Sequence, residues 1–173
     1  MILLDFAKAF DSVCHNKLIQ KLKWFDVSGP LLSWFESYIN QRIQRVVING
    51  ASSNWYPLKS GVPQGSLLGP ILFLVYINDL PNVISHCKLA MFADDSKCFK
   101  IIHNNNSDFA DIQKDLAALT NWSLANEIYF QPAKCLNLRI SRKRNCPERS
   151  YYILGSELNV VRSVMCNRNS AKF

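Results

Sequence analysis

Three acidic residues stand apart from the other carboxylates. Asp5 follows Met1-Ile2-Leu3-Leu4, and Asp94-Asp95 follow Lys88-Leu89-Ala90-Met91-Phe92-Ala93, so each site closes an apolar run that reads as a strand. Most of the 13 Asp and Glu residues lie in polar surroundings instead. Like charges this close raise one another's pKa unless a cation sits between them. A hard divalent ion with oxygen ligands, most simply Mg²⁺, resolves the conflict, and Asp5 completes the site if its strand lies beside the one carrying Asp94. An exposed β-turn, where Asp is a favoured residue, is the other reading of Asp94-Asp95. The 20 Lys and Arg give a net charge of +7, which favours a polyanionic partner. Together with the backbone amides of Gly61-Val62-Pro63-Gln64-Gly65, this points to phosphates and so to phosphoryl or nucleotidyl transfer, in which metals stabilise the attacking and leaving oxygens.

The elements that must position these residues follow from periodicity. Asp5 ends a strand that feeds a helix, whose apolar positions Leu18, Ile19, Leu22 and Phe25 keep helical spacing. Gly29-Pro30 starts a second helix through Leu31, Leu32, Trp34, Phe35, Tyr38 and Ile39, giving a helical hairpin. Arg42 to Ile48, then Asn49-Gly50, then Trp55 to Leu58 predict a β-hairpin with Arg42 and Arg45 on one edge. Ser60 to Ser66 is a loop delivered onto a strongly apolar helix over 67–79. Asp94-Asp95 is expected at the turn of a strand hairpin. Ile112, Leu116, Leu119 and Trp122 mark a further helix with Ser107-Asp108 as its cap. Ile128-Tyr129-Phe130 and Leu136 to Ile140 read as strands, Tyr151 to Leu154 and Val160-Val161 as short ones, with Arg142-Lys143-Arg144 opening a polar stretch.

The 173 residues, 49% apolar and 19% charged, exclude disordered and fibrous classes and supply one core. The mixed element order is α+β, mainly antiparallel. Six cysteines at irregular intervals, with no C-x-x-C pair, read as reduced thiols of an intracellular protein, nuclear or cytoplasmic and not secreted. The apolar run Pro70 to Ile77 is far short of the roughly 20 residues that cross a bilayer, so no membrane partner is expected. His15, His86 and His103 lack ligand spacing and read as structural or surface residues.

Leu4-Asp5-Phe6-Ala7-Lys8-Ala9-Phe10-Asp11, then Ser60 through Pro70, then Phe92-Ala93-Asp94-Asp95 resemble, in that order, motifs A, B and C of reverse transcriptases. The resemblance is closest to non-LTR retrotransposons of the LINE type, which share the Pro-Gln-Gly-Ser loop and the Tyr76-Ile77-Asn78-Asp79-Leu80 helix end. Trp122, Asn126 and Lys134 fall as in motif D.

This resemblance implies a polymerase palm, an antiparallel sheet backed by helices, with a partial fingers helical hairpin and β-hairpin. It also implies RNA-directed DNA synthesis from a primer 3′-hydroxyl, with an RNA template, a DNA primer and deoxynucleoside triphosphates as partners. Asp5, Asp94 and Asp95 are the implied ligands of two Mg²⁺ ions, for which Mn²⁺ can substitute, and Lys134 the implied proton donor to pyrophosphate. Phe6, Phe10, Gln64 and Gly65 are assigned to the nucleotide, Phe10 as the bulky residue under the sugar. Arg42, Arg45, Gly61 and Pro63 are assigned to template and primer, although a solvated strand edge explains the two arginines equally well.

Residues 1–163 are expected to form the palm with partial fingers, truncated at both ends, and 164–173 a divergent tail, because the upstream fingers, thumb and endonuclease are not represented. Cys14 and Glu127 depart from the residue types common in relatives. The isolated chain is accordingly expected to polymerise weakly or not at all. A catalytically dead RNA- or DNA-binding remnant is the alternative.

Overall fold

In a computed structural model of the protein, residues 1–103, 106–141 and 149–164 are described. The polar stretch at Arg142-Lys143-Arg144, Cys146, Cys166 and all of the expected 164–173 tail except Val164 lie outside them. In chain order the elements are β1 (Ile2–Leu4), α1 (His15–Trp24), α2 (Gly29–Ile39), β2 (Ile43–Gln44), β3 (Val47–Ile48), β4 (Ala51–Ser52), β5 (Tyr56–Pro57) and α3 (Leu68–Ile77). After a 3₁₀ turn at Leu80–Val83 come β6 (Lys88–Phe92), β7 (Asp95–Phe99), α4 (Asn106–Ala125), β8 (Leu136–Ser141), β9 (Tyr152–Ile153), β10 (Ser156–Glu157) and β11 (Asn159–Val164). They fall into two compact units, one of 1–7, 80–125 and 129–173, the other of 8–79 and 126–128.

The first unit is a five-stranded sheet in the order β11-β8-β1-β7-β6, with α4 packed in the same unit. It is antiparallel except that β11 joins β8 in parallel. Short β1 sits centrally: Ile2 and Leu4 are buried because alternate residues of a strand face one side, and the strand is paired on both edges. α4 contributes Ile112, Leu116, Leu119 and Trp122 to the core, the expected helical stripe. Its Asp115 carboxylate is nearly out of solvent and accepts the backbone N–H groups of Ser85, His86 and Cys87, which ties down the loop leading into β6. Asp108, expected to cap α4, instead reaches back to the His103 N–H at 2.8 Å. Ile128-Tyr129-Phe130 does not form a strand; it makes a single bridge, Phe6 with Phe130, before Pro132 and a turn break the ladder.

The second unit holds the helical hairpin and the β-hairpin region. α1 buries Leu18, Ile19 and Leu22, and between them Lys21, whose ammonium donates to the Tyr76 carbonyl at 2.5 Å and to Asp79 Oδ1 at 2.6 Å. That one side chain satisfies a carbonyl left over at the end of α3 and holds it to α1. β3 and β4 turn at Asn49-Gly50, both at positive φ (49° and 83°), the pattern that a two-residue hairpin of matching twist demands. β2 pairs with β5 beyond it, so the single hairpin expected is two short ladders.

Among the described residues, Cys14, Cys87, Cys98 and Cys135 are free thiols, and no helix is long and apolar enough to cross a membrane.

Candidate active site

The β1–β7 ladder pairs Ile2 with Cys98, Leu3 with Lys97 and Leu4 with Ser96. One further step along that register sets Asp5 level with Asp95, the first residue of β7. β6 and β7 close on Phe92 and Asp95, so the tight turn is Ala93-Asp94, one residue earlier than the expected Asp94-Asp95. Ala93 takes the left-handed conformation there, at φ 51°. A residue with a Cβ pays on the order of 1 kcal/mol or more for that backbone, strain of a kind that gathers at functional sites. Asp94 is half-buried and Asp95 exposed. Asp5, Asp94 and Asp95 therefore lie at one end of the same sheet.

The turn from Gln131 to Cys135 wraps the main chain of Asp5. Gln131 N–H donates to the Asp5 carbonyl at 2.7 Å, and Asp5 N–H donates to Cys135 Sγ at 3.4 Å. Cys135 is fully buried, and burial pushes its thiol above the ordinary range, so it serves as a neutral acceptor. From the same turn, Lys134 Nζ lies 3.4 Å from Asp5 Oδ1. Neither Gln131 nor Cys135 carries a sequence signal for this contact, which spans more than a hundred residues of chain.

Phe6 follows directly on Asp5. Its ring is buried, stacked on Phe130 at a centroid distance of 4.6 Å and 6.4 Å from Trp122, so it supports the strand end beneath Asp5.

The second unit holds Gly61. It is buried at φ +89°, and a Cβ there would lie 2.9 Å from Asp11 Cα and 3.0 Å from the Phe10 carbonyl oxygen. Its N–H donates to the Val13 carbonyl at 2.8 Å, and His15 Nε2 lies 2.9 Å from its carbonyl. The glycine thus permits close packing against Phe10-Asp11 within its own unit. His15 is structural. Pro63 is half-buried, and its carbonyl accepts the Ser66 hydroxyl at 2.7 Å; that hydroxyl in turn accepts the Gly69 N–H at 2.9 Å, a cap just ahead of α3. Gln64 and Gly65 are exposed, with Gly65 at φ +83°. Phe10 is half-buried and stacks on Phe73 at 4.8 Å. Arg42 Nη1 reaches the Gly61 carbonyl at 3.5 Å, and the Arg45 guanidinium lies 4.6 Å from the Trp55 ring centroid.

Asp5, Asp94, Asp95 and Lys134 thus belong to one unit, and Phe10, Arg42, Arg45, Pro63, Gln64 and Gly65 to the other. Among the described residues no group of three or more His, Cys, Asp or Glu is arranged to hold a metal. Mg²⁺ ordinarily takes one or two protein carboxylates and completes its shell with water and phosphate oxygens.

The family described as reverse transcriptase (RNA-dependent DNA polymerase) matches residues 1–158. A probable RNA-directed DNA polymerase from transposon X-element of Drosophila melanogaster is 32% identical over 155 residues, covering 87% of this chain and 17% of that protein. The RNA-directed DNA polymerase from mobile element jockey of the same species is 29% identical, covering 83% and 16%. The Pol polyprotein from type-1 retrotransposable element R2 of Popillia japonica is 25% identical, covering 80% and 24%. The chain therefore spans about a sixth to a quarter of the length of these relatives. Among solved structures, apo telomerase from Candida tropicalis, truncated from its C-terminal domain, matches with a TM-score of 0.58 at 15% identity, over 91% of this chain and 33% of that one, a likeness of fold. The non-LTR resemblance carried by the motifs agrees with these mobile-element relatives, and the chain belongs to the reverse transcriptase family.

Proposed function

We propose that this chain is the palm-centred part, with partial fingers, of an RNA-directed DNA polymerase of a non-LTR retrotransposon, working inside the cell on an RNA template, a DNA primer and deoxynucleoside triphosphates. The observation that carries the reading is the β1–β7 register, which brings Asp5 to the end of the sheet where the β6–β7 turn presents Asp94 and Asp95.

Asp5 and Asp94 would hold two Mg²⁺ ions, or Mn²⁺ in their place, with Asp95 as the weaker partner. When bound, such ions lower the pKa of the primer 3′-hydroxyl and neutralise charge on the departing pyrophosphate. Lys134 supplies a proton to that pyrophosphate as a general acid. Phe10 limits the space at the sugar 2′ position, Gln64 and Gly65 meet the nascent base pair, and Pro63, Arg42 and Arg45 orient the template strand. Residues 1–163 act as one functional piece. Extension by this chain alone is weak.

Primer extension on an RNA template with concentrated protein and Mn²⁺ tests this reading. Trace extension that is lost in Asp94→Asn is expected. Extension that survives Asp94→Asn overturns the site, and robust extension over many nucleotides overturns the claim of weak activity.

A further inference from the structure

We propose that Lys134 is a resident counter-cation of Asp5, which a divalent ion must displace before the Asp5 carboxylate can serve as its ligand. This rests on the reading of Asp5 as a metal ligand. What brings the two residues together is main-chain geometry and not a side-chain rotamer. The Asp5 carbonyl and N–H are bonded to Gln131 N–H at 2.7 Å and Cys135 Sγ at 3.4 Å, the two ends of one turn. The turn is closed on itself by Lys134 N–H to the Gln131 carbonyl at 2.9 Å and Cys135 N–H to the same carbonyl at 3.1 Å. Phe6 and Phe130, stacked directly behind, fix the two segments from the core side. The backbone of Lys134 therefore stays beside Asp5 while its side chain, 65% exposed, has room to swing.

The ammonium and a divalent ion repel each other and compete for the same carboxylate. An ion pair as exposed as this one, with Asp5 at 36%, is weak, so the lysine is a modest competitor that a doubly charged ion displaces. Coupling of this kind is reciprocal: an ion arriving at Asp5 releases the ammonium, and an ammonium engaged elsewhere strengthens the ion's hold. Loading the carboxylate and freeing the lysine for an anionic neighbour such as a phosphate thus become one event.

Mn²⁺ titrations of the full 173-residue chain, read by electron paramagnetic resonance of the free ion, test the coupling without any turnover. Lys134→Met should bind Mn²⁺ about three- to tenfold more tightly than the wild type, the order expected for removing one like charge a few ångströms away at a partly exposed site. Lys134→Arg should stay within about twofold, since it keeps the charge. In the wild type, the ¹³Cε resonance of Lys134 should shift when Mg²⁺ is added, and in Asp5→Asn it should not. Lys134→Gln repeats the test if the methionine variant folds poorly. Unchanged or weaker Mn²⁺ binding in the neutral variants, with Asp5→Asn still impaired, overturns the counter-cation role and leaves the metal reading standing. Binding that is indifferent to Asp5→Asn removes the metal reading itself.

Discussion

Asp115 carries the clearest pH consequence at the scale of single residues. Burial alone would raise its pKa, but the N–H groups of Ser85, Cys87 and His86 together hold it below the usual carboxylate value of 3.8. A folded-state pKa depressed below the unfolded one contributes stability that is fully present above about pH 4 and is lost as the pH falls through the folded value. The urea midpoint should therefore fall between pH 5 and pH 3, and Asp115→Asn should flatten that fall while costing about 2 kcal/mol at pH 7 through lost acceptor strength. Lys21→Met should cost a similar amount, about 2–3 kcal/mol in urea unfolding, because it leaves the Tyr76 carbonyl and Asp79 without their ammonium. Asp5, Asp94 and Asp95 were legible in the sequence because acids that end apolar runs conflict with their surroundings. Cys135 and Gln131 were not, because their contacts with Asp5 form only after residues more than a hundred apart are joined. Lys21 left a trace, three positions after Leu18 on the apolar face of α1.

Local sequence spoke most clearly at the scale of elements. The Asn49-Gly50 turn, the helices begun near Gly29-Pro30 and Leu68, and the strands flanking Asp94 appear within a residue or two of their expected bounds, since each rests on turn chemistry or periodicity. The parallel join of β11 to β8 was not legible, because strand direction within a sheet is decided by chain path and not by composition. Nor was the Ala93 turn, for turn propensities favour Asp over Ala in the left-handed region. The close approach of the Asp11 backbone to Gly61 was not legible, because it forms only when segments far apart in sequence are folded together. Gly61→Ala should therefore destabilise the protein by about 2 kcal/mol or more, from a strained φ and a backbone clash, and lower the thermal midpoint even without nucleic acid. Gly65→Ala, with open space around its Cβ position, should cost only the left-handed backbone, about 1 kcal/mol.

For the whole molecule, the net charge of +7 makes the proposed function testable through RNA affinity. Binding of single-stranded RNA should weaken steeply with salt, each phosphate contact contributing about −0.7 to the log–log slope. Arg45→Ala should reduce that slope by roughly one contact's worth, whereas Asp94→Asn, measured without divalent ions, should leave it unchanged. In the proposed function, two carboxylates far apart in sequence share metal at one end of the sheet. Anomalous diffraction from crystals soaked in Mn²⁺ tests it most directly. An anomalous peak about 2 Å from carboxylate oxygens of both Asp5 and Asp94 is the predicted result. Carboxylates more than about 8 Å apart with no peak between them would contradict it, because paired ions in such sites lie only about 4 Å from each other.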